Sequence, residues 1–148
     1  MAYRLDYDEP VPAVIQRLKR EHLELRNKLL YIQEEAQNRD PKVAKSILES
    51  IKFEILRHAV EEEARLLRVI ESEGGEKSRI ALDITRYHRR VTEFLHDDLP
   101  VITQGSEMKA RKGIQEFVTQ LLIHNDMEEE VVFPLALQAY ELQNARKR

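Results

Sequence analysis

Two histidine–glutamate pairs with identical spacing are the residues of this sequence best suited to chemistry. His124 and Glu128 lie four positions apart in a largely apolar stretch, and His58 and Glu62 repeat the pair earlier in the chain. Residues four apart share one face of an α-helix, so each pair can reach one small volume. Imidazole binds transition metals, and a carboxylate can bridge two ions. The pairs therefore predict a metal site.

One further histidine precedes each pair by the same interval, His22 before His58 and His88 before His124. The candidate metal ligands are His22, His58, Glu62, His88, His124 and Glu128. Four imidazoles and two carboxylates would be costly to bury without a metal. Four histidines shared between two ions, with two bridging carboxylates, would leave coordination positions open to a small ligand. The repeat thus predicts a two-metal centre.

The neighbouring acids are expected to lie outside the site. Glu61 has no acidic counterpart in the second copy, where Met127 stands. Helical geometry turns Glu63, Glu129 and Glu130 outward. Glutamate-rich helix turns are usually solvated faces.

Two other side chains have ordinary structural interpretations beside functional ones. His96 lies about 80° around the helix from His88, which favours a flank or surface position over a ligand role. Tyr87 could donate a hydrogen bond at the site or simply pack between helices. A structural helical protein with hydrogen-bonded core histidines is the alternative to a metal site.

Hydrophobic residues recur at helical spacing almost throughout, which predicts an all-α fold. We expect one domain over residues 1–148, with an arm at 1–10 and helices at about 12–37, 41–73, 76–102 and 106–143. Short connections favour an up-down-up-down antiparallel four-helix bundle. The inward stripe expected in the last helix is Ile114, Phe117, Leu121, His124, Glu128, Val131 and Leu135.

Capping and breaking residues define the expected helix ends. Asp40 can cap the second helix and Ser106 the fourth. Gly74 and its neighbour should end the second helix in a left-handed conformation. Pro100 should stop or kink the third helix, and Pro134 should bend the fourth beyond its ligand pair.

Composition narrows the possible functions. The absence of cysteine excludes disulfides, thiolate metal sites and cysteine nucleophiles on this chain. A net charge of −3 with interspersed basic residues does not favour nucleic-acid binding. The sequence shows no signal-like segment and no membrane-length apolar run, so we expect a cytoplasmic protein without membrane contact.

The motif His124-x-x-x-Glu128-Glu129-x-x-x-Phe133-Pro134, with its near-copy from His58, resembles the hemerythrin-like domains that carry a His-His-Glu cation-binding pattern. The resemblance covers about residues 12 to 140. It implies two iron ions (Fe2+/Fe3+) bridged by Glu62, Glu128 and a water-derived oxo or hydroxo group. One iron would take His22 and His58, and the other His88 and His124.

The sequence departs from oxygen-carrying hemerythrins at two positions. Thr92 stands where those proteins have another histidine, and the last carboxylate is Glu128 rather than an aspartate one position further along. Thr92 could leave an extra coordination site or hold a solvent ligand. The four-histidine form resembles regulatory and stress-response members. The paired histidines do not form ferritin-like Glu-x-x-His motifs, because Ile55 and Leu121 stand three residues before His58 and His124.

We therefore expect a non-haem di-iron protein that binds or reduces O2 or NO in oxidative or nitrosative stress response or sensing. Whether it turns over as an enzyme is left open, and sustained turnover would require a reductase. The alternative is an iron- or redox-sensing or iron-storage module whose state a regulatory partner reads.

Overall fold

The computed structural model describes residues 4–147. Within this range the chain forms four helical rods and no strand. We label them α1 (Val11–Asn38), α2 (residues 41–71), α3 (residues 75–104) and α4 (residues 107–146). The connections hold only two or three residues each, so consecutive rods lie antiparallel in a four-helix bundle. The all-α prediction is confirmed.

The helix ends follow the predicted capping chemistry. The Asp40 carboxylate accepts a hydrogen bond from the Lys42 amide, and the Ser106 hydroxyl accepts one from the Lys109 amide. Gly74 and Gly75 adopt positive φ values of 72° and 58° between α2 and α3. Side chains strongly disfavour that conformation, which explains why glycine ends the rod there.

Three of the rods change helical pitch along their length. π-helical segments interrupt α2 at Glu63–Leu67, α3 at Phe94–Asp98 and α4 at Glu128–Val132. In α3 a 3-10 segment, Leu99–Gln104, follows and includes Pro100, so this proline does not end the rod. π segments inside α-helices often occur at functional sites.

The π segment of α4 shifts the helix face that points inward. Val131, predicted to be inward, is 40% exposed, whereas Val132 and Phe133 are fully buried. A π turn holds about one residue more than an α turn, so later side chains rotate relative to a regular helix. The prediction for Val131 was wrong for this reason. Pro134, where a bend was predicted, lies two residues after the π segment ends at Val132 and has no amide hydrogen to donate.

The bundle core consists of two apolar clusters with a polar layer between them. Leu29, Ile32 and Leu48 belong to one cluster, and Leu18 and Ile70 belong to the other. The predicted ligand residues are buried between these clusters. No helix within residues 4–147 has the length and apolar character needed to cross a membrane.

Candidate metal centre

The structure brings all six predicted ligand residues into the polar layer. Each is at most 7% exposed, and Glu128 is fully buried. His22 comes from α1, His58 and Glu62 from α2, His88 from α3, and His124 and Glu128 from α4. Every rod thus contributes to one enclosed cluster.

The donor atoms form two groups that share one carboxylate. We call the group of His22, His58, Glu62 and Glu128 the first position, and the group of His88, His124 and Glu128 the second position. Within each group one potential ligand atom per residue lies within 4.8 Å of all the others. Either group could hold one metal ion.

Imidazole nitrogens face the carboxylates across the cluster. His58 Nε2 lies 3.0 Å from Glu62 Oε1, and His22 Nε2 lies 3.3 Å from Glu128 Oε1. His124 Nε2 lies 3.5 Å from Glu128 Oε2. The two Glu128 oxygens therefore face histidines of different positions, as a bridging carboxylate requires.

Several of these inward atoms are buried without a hydrogen-bond partner among the described residues. They are the Nε2 atoms of His22 and His124, Glu62 Oε2, and both Glu128 oxygens. Leaving such a group unpaired costs about 1–3 kcal/mol, so native cores rarely tolerate several together. Imidazole and carboxylate donors suit borderline transition metals. The residues thus fit a nitrogen- and oxygen-coordinated metal pair.

Without metal, the pKa of His58 differs from those of His22 and His124. Burial lowers the pKa of His58, but the Glu62 and Glu21 carboxylates outweigh it and raise that pKa to about 9. Burial, reinforced by His88, lowers the pKa of His124 to about 3. Burial likewise lowers the pKa of His22. At neutral pH the His58 imidazole is therefore protonated on both nitrogens and positively charged, whereas His22 and His124 are neutral.

Carboxylates that sequence reasoning did not assign to the site contact the outer nitrogens of three histidines. The Nδ1–carboxylate contacts are His58 with Glu21 at 3.0 Å, His88 with Glu63 at 3.1 Å, and His22 with Glu129 at 3.5 Å. Glu63 and Glu129 were predicted to face outward, and they are only half-exposed because their flexible side chains reach a neighbouring helix. The sequence feature that could have identified Glu63 and Glu129 is the Glu-Glu doublet that follows the histidine in both copies.

Arg17 connects this arrangement to the start of the chain. Its guanidinium contacts Glu21 Oε2 at 3.3 Å, Glu9 at 2.6 Å and the buried Glu61 carboxylate. Glu61, left out of the predicted site, thus pairs with an arginine rather than facing the donors. Arg65 holds the segment before α1 through the Glu9 carbonyl.

The remaining predicted residues take different places. Tyr87 stacks on His124, with ring centroids 4.1 Å apart, so it packs against a site residue. Burial raises the pKa of Tyr87 to about 12. The Thr92 hydroxyl donates to the His88 carbonyl at 3.0 Å, so it is engaged with its own helix. His96 is exposed.

A small cavity of about 20 Å³ adjoins the cluster. Its apolar walls are Leu25, Ile55, Ala59, Val91 and Leu121. It borders His58, Glu62, His88, His124 and the buried Asn125. It therefore touches both histidines of the second position and only one histidine of the first. A space of this size can hold one water-sized molecule.

Comparison with known proteins agrees with the donor pattern. Neither the curated proteins nor the solved structures gave a match. A family model, the hemerythrin HHE cation binding domain, matches residues 13–136 and so covers all six predicted ligands. The chain belongs to the hemerythrin HHE cation-binding domain family.

Proposed function

We propose that this chain is a non-haem di-iron protein that binds or reduces a small diatomic ligand, O2 or NO. The observation that carries the proposal is the apolar cavity against the two histidines of the second position. Family membership supports a metal-binding role. The assignment of iron and of the ligand goes beyond that membership.

The six residues would hold two ions at the first and second positions. His22, His58 and Glu62 would bind one ion, and His88 and His124 the other, with Glu128 shared between them. Glu62 Oε1 lies 3.0 Å from His58 Nε2 but 3.8 Å from His88 Nε2, so Glu62 belongs mainly to the first position. The buried unpartnered atoms are the physical reason to expect occupancy.

The second position is the better candidate for ligand binding. Its donor group contains three residues, whereas that of the first contains four. Fewer protein donors leave more coordination positions for an exogenous ligand. The cavity adjoins both of its histidines, so a molecule in the cavity would lie beside this position.

The cavity walls suit a small, weakly polar molecule. Their aliphatic side chains offer no hydrogen bonds, which disfavours a tightly held water and favours O2 or NO. Asn125 adds one buried amide at the edge of the cavity, where it could donate a hydrogen bond to a polar ligand atom. The bundle thereby excludes bulk water from the site.

An iron pair bound here would supply an open coordination position and the electrons for reducing the ligand. The chain's own contribution is to fix the imidazole rings and to keep the site dry. Repeated reduction would require an electron-donating partner, whereas single reversible binding would suit a sensor. We place the protein in oxidative or nitrosative stress response or sensing.

The test is an anaerobic absorption spectrum of the ferrous-loaded protein before and after adding O2 or NO. We expect new charge-transfer bands with either ligand, and loss of these bands in Glu128→Ala. A reversible band would favour sensing, and irreversible oxidation by O2 would favour redox chemistry. A loaded protein that reacts with neither ligand would refute the proposal in favour of iron storage or iron sensing.

A further inference from the structure

The two positions differ in how their histidines are held from outside. At the first position the outer nitrogen of His58 is hydrogen-bonded to Glu21 at 3.0 Å, whereas the outer nitrogen of His22 has the Glu129 carboxylate 3.5 Å away and makes no hydrogen bond to it. In the second position Glu63 contacts His88. The outer nitrogen of His124 makes no ion pair with any residue in the described range, and its ring stacks on Tyr87 instead.

The outer contacts matter because the inner nitrogens, Nε2, are the atoms that would bind metal. A histidine that binds metal through Nε2 keeps its proton on Nδ1, which must donate elsewhere. A carboxylate acceptor fixes the ring orientation and makes the ligating nitrogen more basic. Removing such a partner typically lowers metal affinity about 10- to 100-fold.

Glu21 is the least exposed of these outer carboxylates, and each of its two oxygens has a contact. One of its oxygens contacts His58 at 3.0 Å, and the other contacts Arg17 at 3.3 Å. Its side chain is 18% exposed, against 38% for Glu63 and 41% for Glu129. Solvent and salt screen an exposed charge more strongly than a shielded one, so the Glu21 contact should have the largest effect.

We propose that the two positions bind metal unequally, with the first position filling first and Glu21 acting as the positioning residue responsible. The first position has one more donor residue, and His58 within it is held by the least exposed of the outer carboxylates. The second position is then the weaker and more exchangeable one. This inference rests on the proposed function only in requiring that both positions take a metal ion.

The test is an anaerobic titration of the metal-free chain with Co2+, followed by visible absorption, and repeated with Fe2+. Wild type should bind two ions in separate steps, the first at least about tenfold tighter. Glu21→Gln should weaken the tight step about 10- to 100-fold, whereas Glu63→Gln should weaken only the second. Glu24→Gln, an exposed glutamate on the same helix, is the matched control and should change neither step.

Further measurements separate ligand positioning from general destabilisation. The thermal unfolding midpoint of each metal-free variant shows whether the bundle survives. Arg17→Gln releases one Glu21 oxygen but keeps the carboxylate beside His58, so it should weaken the tight step less than Glu21→Gln does. In the Co2+ protein, NMR should show that Glu21→Gln shifts one ring N–H signal of the first position most strongly.

Each failure has a distinct meaning. Two ions bound with equal affinity would overturn the inference and leave the proposed function intact. The same holds if Glu21→Gln and Glu63→Gln weaken the same step, or if Glu21→Gln behaves like Glu24→Gln. A wild-type chain that binds neither Co2+ nor Fe2+ would overturn both proposals.

Discussion

Glu128→Leu should stabilise the metal-free protein while abolishing the paired metal site. Glu128 is fully buried, and both of its oxygens lack a hydrogen-bond partner among the described residues. Its near neighbours His22 and His124 have pKa values lowered by burial, so they offer no positive charge at neutral pH. Replacing this carboxylate with an apolar side chain should gain about 1–3 kcal/mol.

For a chain of this length that gain corresponds to a rise of roughly 3–10 °C in the unfolding midpoint. The assay is thermal unfolding of chelator-treated and Fe2+-loaded protein, with metal content measured in parallel. In the loaded state the order should reverse, since the variant loses the stabilisation that metal binding gives wild type. Glu130→Leu, an exposed neighbour on the same helix, should change stability by no more than about 0.5 kcal/mol and leave metal content unchanged. The reasoning is refuted if Glu128→Leu destabilises the metal-free protein or retains two ions.

Four further outcomes follow from the geometry. Because the metal-free His58 keeps its proton up to a pKa of about 9, metal must displace that proton. Affinity should therefore rise up to about tenfold per pH unit towards pH 9 and level off above it, as calorimetric titrations would show; a flat profile contradicts the assignment. Ala59→Leu should occupy the cavity and slow NO binding at least about tenfold with iron content intact, measured by stopped flow against the exposed control Val60→Leu. Elemental analysis should show that His96→Ala leaves the metal content unchanged, and a loss of metal would make His96 a ligand. Ser106→Ala should cost about 1 kcal/mol in urea unfolding, and no change would remove its capping role.

The fold was predictable from sequence because its signals are local. Hydrophobic spacing defines the inward face of each helix, and Asp40, Gly74 and Ser106 define ends through their own backbone and side-chain chemistry. What local spacing could not predict is the change of helical pitch after the ligand pairs. A regular helix places Val131 inward, whereas the π segment places Val132 there.

The inner part of the candidate site could be predicted from local spacing, whereas the contacts of the outer carboxylates could not. His124 and Glu128 share a helix face, so their proximity follows from spacing alone. The contact between His58 and Glu21 joins different helices and depends on the relative position of α1 and α2. Glu63 shows the further problem that a long side chain on an outward position can still reach inward to His88. No helical wheel contains that information.

We propose that the six buried residues hold a pair of metal ions. The most direct test is anaerobic reconstitution of the metal-free chain with Fe2+, removal of loosely bound metal, and elemental analysis per chain. The account predicts two iron ions in wild type and fewer than two in Glu62→Ala and in Glu128→Ala. A wild-type chain that retains one iron or none, or variants that keep both, would contradict it.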